Sequence, residues 1–511
     1  MFSLGARTPR PVPTPRQWTL AATIIASSMT FIDGTVVNVA LPALQASFGA
    51  TITQVQWVIE AYTLFLGALL LVGGSLGDQL GRKRVFLAGV VLFTAASVLC
   101  GLAPTPATLI AARTLQGVGA ALLVPGSLAI IVATFEGAER GTAIGTWSGF
   151  SAIATAIGPV GGGWLVEHVS WRAVFLMNVP LAVIVVLLSI RHMGETRDAS
   201  REGALDWTGA ALTVLALGGI VFGLLQWPSL GGSHPAVIGA LALGVVSLAM
   251  LLVAERRIAN PMLDLSLFRS RTFTLTNLLT LFLYGALAVM LFLLPLDLIE
   301  VQGYTATAAG AALLPFPIII FALSRWSGGL VGRIGPRLPL TVGPAVSAIG
   351  LGLFAALVGE RGGSFWKTVF PAVVVLSLGM AITVAPLTTT VMNAVQSTHS
   401  GVASGINNAV SRVAGLVAIA VFGVVLSQTF DARVERRMAP LDLPAAARAD
   451  LAPELRKMAG ADLGAIPSLT PARRTEVRQA IDTSFASAFR VVMACAAGLA
   501  IAAAIFGVAI V

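Results

Sequence analysis

Charged residues are scarce in this sequence: Asp, Glu, Lys and Arg make up 11% of its 511 residues, against roughly 25% in an ordinary soluble domain. Hydrophobic residues make up 56%, and the mean hydropathy is +0.89. This composition argues against a soluble chain and indicates a protein whose main solvent is lipid. A bilayer core about 30 Å thick requires about 20 apolar residues per helix, because every backbone polar group in lipid needs an internal hydrogen bond.

Cysteine and histidine are equally scarce, with two cysteines and four histidines. Cys100 and Cys495 lie singly inside apolar runs and have neither metal-ligand spacing nor a disulfide pattern. No nucleotide-binding loop and no cluster of His, Cys or Ser with acids is visible. The sequence therefore predicts no enzyme, no metal and no cofactor. The net charge is +9, but its bases stand at the ends of apolar runs, which argues against a nucleic-acid partner.

Fourteen apolar runs are long enough to cross a membrane, in groups of six, two and six. We therefore predict an all-α membrane protein with 14 transmembrane helices. Its predicted units are a tail at 1–17, a six-helix bundle at 18–191, an inserted pair at 192–271 and a second bundle at 272–511. The predicted spans lie near 18–41, 54–74, 84–103, 106–133, 141–165, 172–191, 206–227, 235–255, 272–299, 305–331, 338–358, 366–392, 402–429 and 484–511.

The distribution of basic residues predicts the orientation. With the N-terminus inside, the predicted cytoplasmic segments hold 16 Lys and Arg residues, whereas the short external loops hold three, Arg172, Arg361 and Lys367. Lys and Arg in short loops are retained on the cytoplasmic side. The sequence thus predicts a multi-pass protein of the bacterial cytoplasmic (inner) membrane with both termini in the cytoplasm.

Two parts of the chain repeat one spacing of glycines and bases. Such repeats are common in transporters, and this one predicts two pseudo-symmetric bundles with a cavity between them. The positions Gly74, Leu76, Gly81, Lys83 and Gly89 recur 254 residues later as Gly328, Leu330, Gly335, Arg337 and Gly343.

The first copy of the repeat is a sharp turn with one acid and three bases, Gly74-Ser-Leu-Gly-Asp78-Gln-Leu-Gly81-Arg82-Lys83-Arg84. It resembles the loop signature of the major facilitator superfamily. The resemblance implies that Gly74, Asp78, Gly81, Arg82 and Arg84 form a latch between the two halves at the cytoplasmic face. In the second copy Gly332 replaces the acid, so the second latch is expected to be weaker.

Two further motifs lie in the fourth and fifth predicted spans. The fourth span places Arg113 inside the membrane, and such a charge is a candidate for function because it needs a partner or a cavity. The alternative for Arg113 is simple ion pairing. The fifth span resembles the antiporter motif of the same superfamily, and the alternative there is close helix packing. The residues that match these motifs are Leu109, Arg113, Gln116, Gly117 and Gly119 in the fourth span, and Gly145, Gly158, Pro159, Gly162 and Gly163 in the fifth.

The first span ends in a longer string, Asp33-Gly-Thr35-Val-Val-Asn38-Val-Ala40-Leu41-Pro42. This string resembles the first-helix signature of the fourteen-helix drug:proton antiporter family, and Gly405-Ile-Asn407-Asn408-Ala-Val-Ser-Arg412 in the thirteenth span is a further match. The resemblance covers essentially the whole chain. It implies a proton-coupled exporter that works by alternating access. The substrate-binding candidates are Asn38, Glu60, Gln116, Asn407, Asn408 and Arg412.

Three ionisable residues share one depth in the predicted membrane. Asp33, Glu60 and Arg113 lie roughly 9 to 12 Å inside the external boundary, at a rise of 1.5 Å per residue. Desolvation favours the neutral form of such a carboxyl group and a nearby arginine favours the charged form. We therefore predict that all three residues take part in proton coupling. Glu60 is in addition a candidate site for cationic substrates, with simple pairing to Arg113 as the alternative.

The segment 430–483 alternates helix-forming stretches with prolines. It is predicted to be an external, partly helical and solvated hairpin or flap. A docking site for a periplasmic adaptor is the alternative, since loops often carry function.

The predicted partners of the whole chain are protons, small hydrophobic and often cationic compounds, and the lipid bilayer. A fourteen-helix carrier that exports a specific lipid, siderophore or metabolite is the alternative function. A membrane enzyme or receptor is disfavoured, because intramembrane charges by default mark transport paths.

Overall fold

The computed structural model describes residues 14–197, 206–257, 265–358, 363–395 and 400–510. Residues 1–13 of the predicted tail, with Arg7 and Arg10, and Arg361 of the predicted external loops lie outside these ranges. Within them the chain is helical and contains no strand. The predicted all-helical class is therefore confirmed.

The helices fall into two halves and a pair between them. The first half comprises α1 (Pro15–Phe48), α2 (Ile52–Leu80), α3 (Arg82–Leu102), α4 (Pro106–Thr134), α5 (Gly137–His168), α6 (Ala173–Leu176) and α7 (Asn178–His192). The pair is α8 (Trp207–Leu230) and α9 (Pro235–Glu255). The second half comprises α10 (Arg271–Leu296), α11 (Ala306–Ala312), α12 (Pro315–Gly328), α13 (Leu330–Ile334), α14 (Arg337–Leu357), α15 (Val369–Asn393), α16 (Ser400–Met438), α17 (Ala445–Leu455) and α18 (Pro471–Val508).

Thirteen of the described helical segments are long and apolar enough to cross a membrane. The count becomes fourteen when the two arms of α2, Ile52–Leu70 and Val72–Leu80, are taken as one span bent by 50°. The predicted count of fourteen is thus confirmed to within this bend. Successive spans alternate in direction, so the start of α1 and the end of α18 lie at one end of the molecule. We call it the Gly81 end, after the turn between α2 and α3, and the opposite one the Gly49 end, after the turn between α1 and α2.

Local sequence explains where several helices begin. Thr14, Thr51 and Thr105 each accept a hydrogen bond from a backbone N–H of the first turn, and each forms a capping box with the residue three positions later. Asp206 caps α8 by accepting from the Gly209 N–H at 2.7 Å. Such caps satisfy N–H groups that the helix itself leaves without a partner.

The backbone supports the internal repeat at its turns. Gly81 and Gly335 both have positive φ, at 107° and 75°, a region that glycine enters without steric penalty. Gly89 and Gly343 also correspond, because each lies against the backbone of the fourth membrane span in its half, formed by α4 and α15. The two halves are therefore built on the same turn and the same close helix contact.

The inserted pair packs where the two halves meet. Leu217 and Val221 of α8 share one buried cluster with Leu64 of α2 and with Leu416 and Ala420 of α16. The pair therefore lies beside the bundles, against one helix from each half.

The segment after α16 differs from the prediction. Helix α16 has 39 residues and α18 has 38, and at 1.5 Å per residue each is about 57 Å long, nearly twice the bilayer core. Both helices therefore extend beyond the membrane. The connection between them is not a solvated flap, because Leu451, Met458 and Ile466 are buried in the main hydrophobic cluster.

This connection also reaches the first half at the Gly49 end. The Gln45 side chain donates to the Lys457 carbonyl at 2.9 Å, and the Ile52 N–H donates to the Arg456 carbonyl at 3.2 Å. The two halves are therefore tied together at this end by main-chain groups of the connection.

Helix α5 makes the closest contact between the halves, through the glycines of the predicted antiporter motif. Gly158 and Gly162 face α1 of their own half. Pro159 and Gly163 face α11: a Cβ on Gly163 would lie 2.7 Å from the Ala306 carbonyl carbon, and a Cβ on Gly310 would lie 2.6 Å from that of Pro159. Glu167 accepts a hydrogen bond from the Thr307 hydroxyl at 2.6 Å. The halves are thus closed at the Gly49 end by backbone-to-backbone packing.

We expect Gly163→Ala or Gly310→Ala to open the Gly49 end, because the added methyl group has no space in the closed arrangement. Overpacking of this kind costs about 1–3 kcal/mol, so the open population should rise by about tenfold. The measurement is the labelling of a Gly34→Cys reporter by a membrane-impermeant maleimide added at either side. The reporter position borders the central cavity and has open space for a side chain.

The control for this experiment is Gly145→Ala on the same helix, where a Cβ would meet nothing within 4 Å. The parent protein without the reporter gives the background from Cys495, which is exposed. Identical labelling of the Gly163→Ala and Gly145→Ala proteins would contradict the proposed role of this contact.

Candidate functional site

A buried ion pair lies at the centre of the first half. The Arg113 guanidinium on α4 donates to the Asp33 carboxylate on α1 at 2.5 Å, and both side chains are at most 1% exposed. The same guanidinium donates to the Val58 carbonyl of α2 at 2.9 Å and lies 4.2 Å from the centre of the Tyr62 ring. Arg113 therefore joins three helices, and its charge is neutralised inside one half.

Gln116 connects this pair to further polar groups. Its side-chain oxygen accepts from Arg113 at 2.8 Å, and its side-chain nitrogen donates to Asp33 at 2.8 Å and to the Ser97 hydroxyl at 3.3 Å. Asn178 also donates to Ser97, at 2.9 Å. Gln116 is completely buried in this network, so the predicted substrate-binding side chain lies behind the cavity wall rather than on it.

Glu60 is not part of the hydrogen-bond network around Asp33 and Arg113, although its predicted depth is the same as theirs. Its side chain is completely buried, and neither carboxyl oxygen has a hydrogen-bond partner among the residues that the structure describes. The alternative of a simple Glu60–Arg113 pair is therefore wrong in this conformation. Gln56, Glu60 and Gly67 recur along one face of α2. That face meets α16, because Gln56 fills the space beside Gly423 and Gly67 lies 3.7 Å from the Arg412 Cβ.

A cavity of about 220 Å³ lies between the halves. Its wall contains four threonines, four apolar side chains, Gly34, Tyr62, Arg113 and Arg412. Typical pockets for drug-sized ligands have volumes of about 300–1,000 Å³, so the volume of this cavity is below that range. The threonines are Thr30, Thr35, Thr63 and Thr155, and the apolar residues are Phe31, Val37, Ile59 and Leu66.

A second cavity, of about 140 Å³, lies within the second half and contains Asn408 in its wall. Asn407 borders it as well, but its amide is held by α10, donating to the Thr280 hydroxyl at 2.7 Å and to the Asn277 oxygen at 3.1 Å. Asn38 is half-buried on α1 and borders neither cavity. Of the residues predicted to bind substrate, the structure thus places Asn407, Asn408 and Arg412 on cavity walls.

Among the predicted latch residues, Asp78 and Arg82 contact each other, and Gly74 and Arg84 contact other residues of the first half. Arg82 donates to Asp78 at 2.8 Å, and Arg84 lies 3.8 Å from Glu195, which follows α7. Gly74 lies 3.6 Å from Pro125 of α4, measured from its Cβ position. These contacts hold α2, α3 and α7 together at the Gly81 end.

Sequence reasoning missed several members of the site. Tyr62, Ser97 and Asn178 hold the ion pair or its network, although they stand outside the ionisable set on which the prediction was built. The sequence does contain a signal for two of these residues, because Ser97 and Asn178 are polar residues inside otherwise apolar runs. In lipid such groups need hydrogen-bond partners within the protein.

Comparison with known proteins gives the family. The model of the Major Facilitator Superfamily matches residues 23–419. The chain is 36% identical over 418 residues to the multidrug resistance protein Stp of Mycobacterium tuberculosis, covering 82% of this chain and 77% of that protein. It is 30% identical over 499 residues to the tetracenomycin C resistance and export protein of Streptomyces glaucescens, covering 96% and 90%.

Among solved structures, the fold is similar to a bacterial homologue of the human lysosomal transporter Spinster, captured inward-facing and unoccupied. The TM-score is 0.66, the sequence identity is 16%, and 98% of each chain is covered. This likeness concerns the fold alone. Together with the family model and the two resistance proteins, it confirms the resemblance read from the sequence: the chain belongs to the major facilitator superfamily and is a membrane transporter.

Proposed function

We propose that the chain is an antiporter that exports hydrophobic drugs or toxic compounds across the bacterial inner membrane in exchange for protons. The names of its relatives support drug export, since they are described as multidrug and tetracenomycin C resistance proteins. The excess of Lys and Arg in loops at the Gly81 end supports a cytoplasmic location for that end and for both termini. The structure then represents a state that is closed toward the outside.

The observation that carries proton coupling is the burial of Glu60 without a partner. An ion transferred from water into a protein interior costs several kcal/mol even after relaxation. A carboxyl group that is fully buried and accepts no hydrogen bond is therefore neutral, which means that Glu60 holds a proton in this state. Since its face of α2 contacts α16, the proton lies at an interface between the two halves.

This position gives a reason for obligatory exchange. When the halves separate at the Gly49 end, Glu60 meets external water, where it takes up a proton. Only the neutral form fits the closed interface, so protonation favours closure. Ile59 and Thr63 of the same helix line the central cavity, and a rotation of the Glu60 side chain toward that cavity releases the proton to the cytoplasm. The resulting carboxylate then favours reopening toward the outside with substrate bound.

Asp33 and Arg113 form the second part of the proposed coupling machinery. Arg113 lines the cavity, so a change in its position or hydration acts directly on its partner Asp33. A protonated Asp33 would release Arg113, and an ionised Asp33 holds it. The pair therefore links the charge on the cavity wall to the arrangement of α1, α2 and α4.

The proposal leaves two further points to experiment. A periplasmic adaptor at 430–483 remains a prediction. The connection packs one side against the main hydrophobic cluster, and its exposed side is available to such a partner. Export of one specific lipid, siderophore or metabolite remains the alternative, and a substrate panel separates it from broad drug export.

We expect Glu60→Gln to abolish proton-driven export and to preserve substrate binding. Glutamine keeps the size and neutrality of the protonated side chain but cannot release a proton. The measurement is dye export by inverted membrane vesicles after a pH gradient is imposed, with dye binding to purified protein measured in parallel. Glu476→Gln, at an exposed acid of α18, is the control. Full gradient-dependent export by the Glu60→Gln protein would eliminate Glu60 as the proton carrier.

We expect Asp33→Asn and Arg113→Gln each to lower the thermal unfolding midpoint, and the double variant to recover part of the loss. Removing one member of a buried pair leaves an uncompensated charge, at a cost of about 3–5 kcal/mol. The double variant carries no such charge. All three variants should lose proton-driven export, because the pair no longer responds to protonation.

The control here is Arg473→Gln, which breaks a half-exposed pair with Glu476 of the kind worth about 0–1 kcal/mol. A double variant less stable than both single variants would show that charge balance is not what stabilises the pair. Normal export by Asp33→Asn would remove Asp33 from the coupling mechanism.

A further inference from the structure

The wall of the central cavity carries basic groups without an exposed acid to match them. Arg113 and Arg412 are the ionisable groups with formal positive charge on this wall. Asp33 already neutralises Arg113 and is itself buried, and Glu60 has no exposed surface. One positive charge, that of Arg412, is therefore left in the cavity.

Arg412 lies in the middle of a membrane-spanning helix, 12 positions after the start of α16 at Ser400. It is half-buried, and in the part of the chain that the structure describes no carboxylate lies within ion-pair distance of it. An arginine at this depth requires a partner or water, since a charge inside a membrane is otherwise strongly unfavourable. The guanidinium faces the cavity, so a bound compound is in a position to supply the missing charge.

Tyr62 provides a second donor at the same place. Tyr62 is 4% exposed and lines the cavity, and in the described part of the chain its hydroxyl has no hydrogen-bond partner. Arg412 lines the same cavity. Buried hydroxyl groups without a partner are uncommon in proteins. An acceptor oxygen on a ligand would satisfy both groups.

The surroundings of these two donors are neutral. The remaining polar groups of the cavity wall are threonines, and Phe31, Ile59 and Leu66 give it apolar surface. The neighbouring second cavity is bordered by Asn407, Asn408 and Ser411 and contains no acid among its lining residues. Among the described residues that line the two walls, none offers a negative charge to a cationic compound.

We propose that the site bounded by Arg412 and Tyr62 binds the anionic group of an amphipathic acid, such as a carboxylate, phenolate or sulfonate. The apolar body of that acid would pack against Phe31, Ile59 and Leu66. The inference rests on the proposed export function and specifies its substrate class. It departs from the expectation of often cationic substrates, because an unpaired arginine in a medium of low dielectric constant attracts an anion and repels a cation.

The test compares two dyes with the same xanthene frame and opposite charge, an anionic fluorescein and a cationic rhodamine. Binding to purified protein is measured by fluorescence anisotropy for the wild type, Arg412→Gln and Arg412→Lys. We expect Arg412→Gln to weaken fluorescein binding by about tenfold or more, the equivalent of about 1.4 kcal/mol. Rhodamine binding should stay the same or improve. Arg412→Lys should retain most of the fluorescein binding, because the positive charge remains.

Arg433→Gln is the matched control, since Arg433 is an exposed arginine on the same helix. Thermal unfolding of each variant verifies that it is folded. Equal loss of both dyes in Arg412→Gln, no loss of fluorescein, or no binding of fluorescein by the wild type would each overturn the inference.

Export assays with the same dyes separate this inference from the proposed function. A wild type that binds fluorescein through Arg412 but exports neither dye under a proton gradient overturns the export proposal and leaves the anion site. A wild type that exports rhodamine under a gradient, with fluorescein binding indifferent to Arg412, overturns the anion site alone.

The same chemistry is offered by an anionic lipid headgroup, and bilayer composition distinguishes the two sources. Binding of fluorescein is measured in bilayers of phosphatidylcholine and of phosphatidylglycerol. Equal binding in both supports a soluble acid as the occupant. The other outcome is that the wild type binds fluorescein more weakly in phosphatidylglycerol than in phosphatidylcholine. If Arg412→Gln removes this difference between the two bilayers, the site is assigned to the lipid headgroup.

Discussion

The requirement to neutralise charge without water decides which parts of this molecule are rigid and which are free to change. The Asp33–Arg113 pair meets the requirement inside the first half, with Gln116, the Val58 carbonyl and the Tyr62 ring around it. These contacts need nothing from the second half. The charges of this network are therefore balanced within the first half in this conformation.

Glu60 and Arg412 differ from that pair because their surroundings depend on both halves. Glu60 is buried on the face of α2 whose neighbours Gln56 and Gly67 contact α16, and Arg412 lines the cavity near Gly67. Among the described residues, neither oxygen of the Glu60 carboxyl group has a partner, so Arg412 does not neutralise it in this conformation. In the proposed mechanism a proton neutralises Glu60 and a ligand neutralises Arg412, which is the arrangement that an exchanger of the two requires.

The sequence was sufficient for the class, the span count and the pairing of turns. Apolar runs and the 254-residue repeat determine these features locally, and Gly81 and Gly335 take up the same positive φ. It was insufficient for the partners of Glu60, because depth along a helix does not say which face a side chain occupies relative to helices far away in the chain. The same limit explains the connection after α16: its prolines suggested a flap, whereas its spaced apolar residues, such as Leu451 and Ile466, belong to the core.

Packing at α5 complements this electrostatic control. The motif glycines give α5 two smooth faces, one toward α1 in its own half and one toward α11 in the other. Van der Waals contact between backbones falls off within a fraction of an ångström, so the α5–α11 contact is either made or lost. Charge state, by contrast, changes with pH and with bound ligand. In the proposed mechanism, a closed state that needs both the fitted glycine face and a neutral Glu60 would be stable when protonated and would be released by loss of the proton, without any change in the packing surface itself.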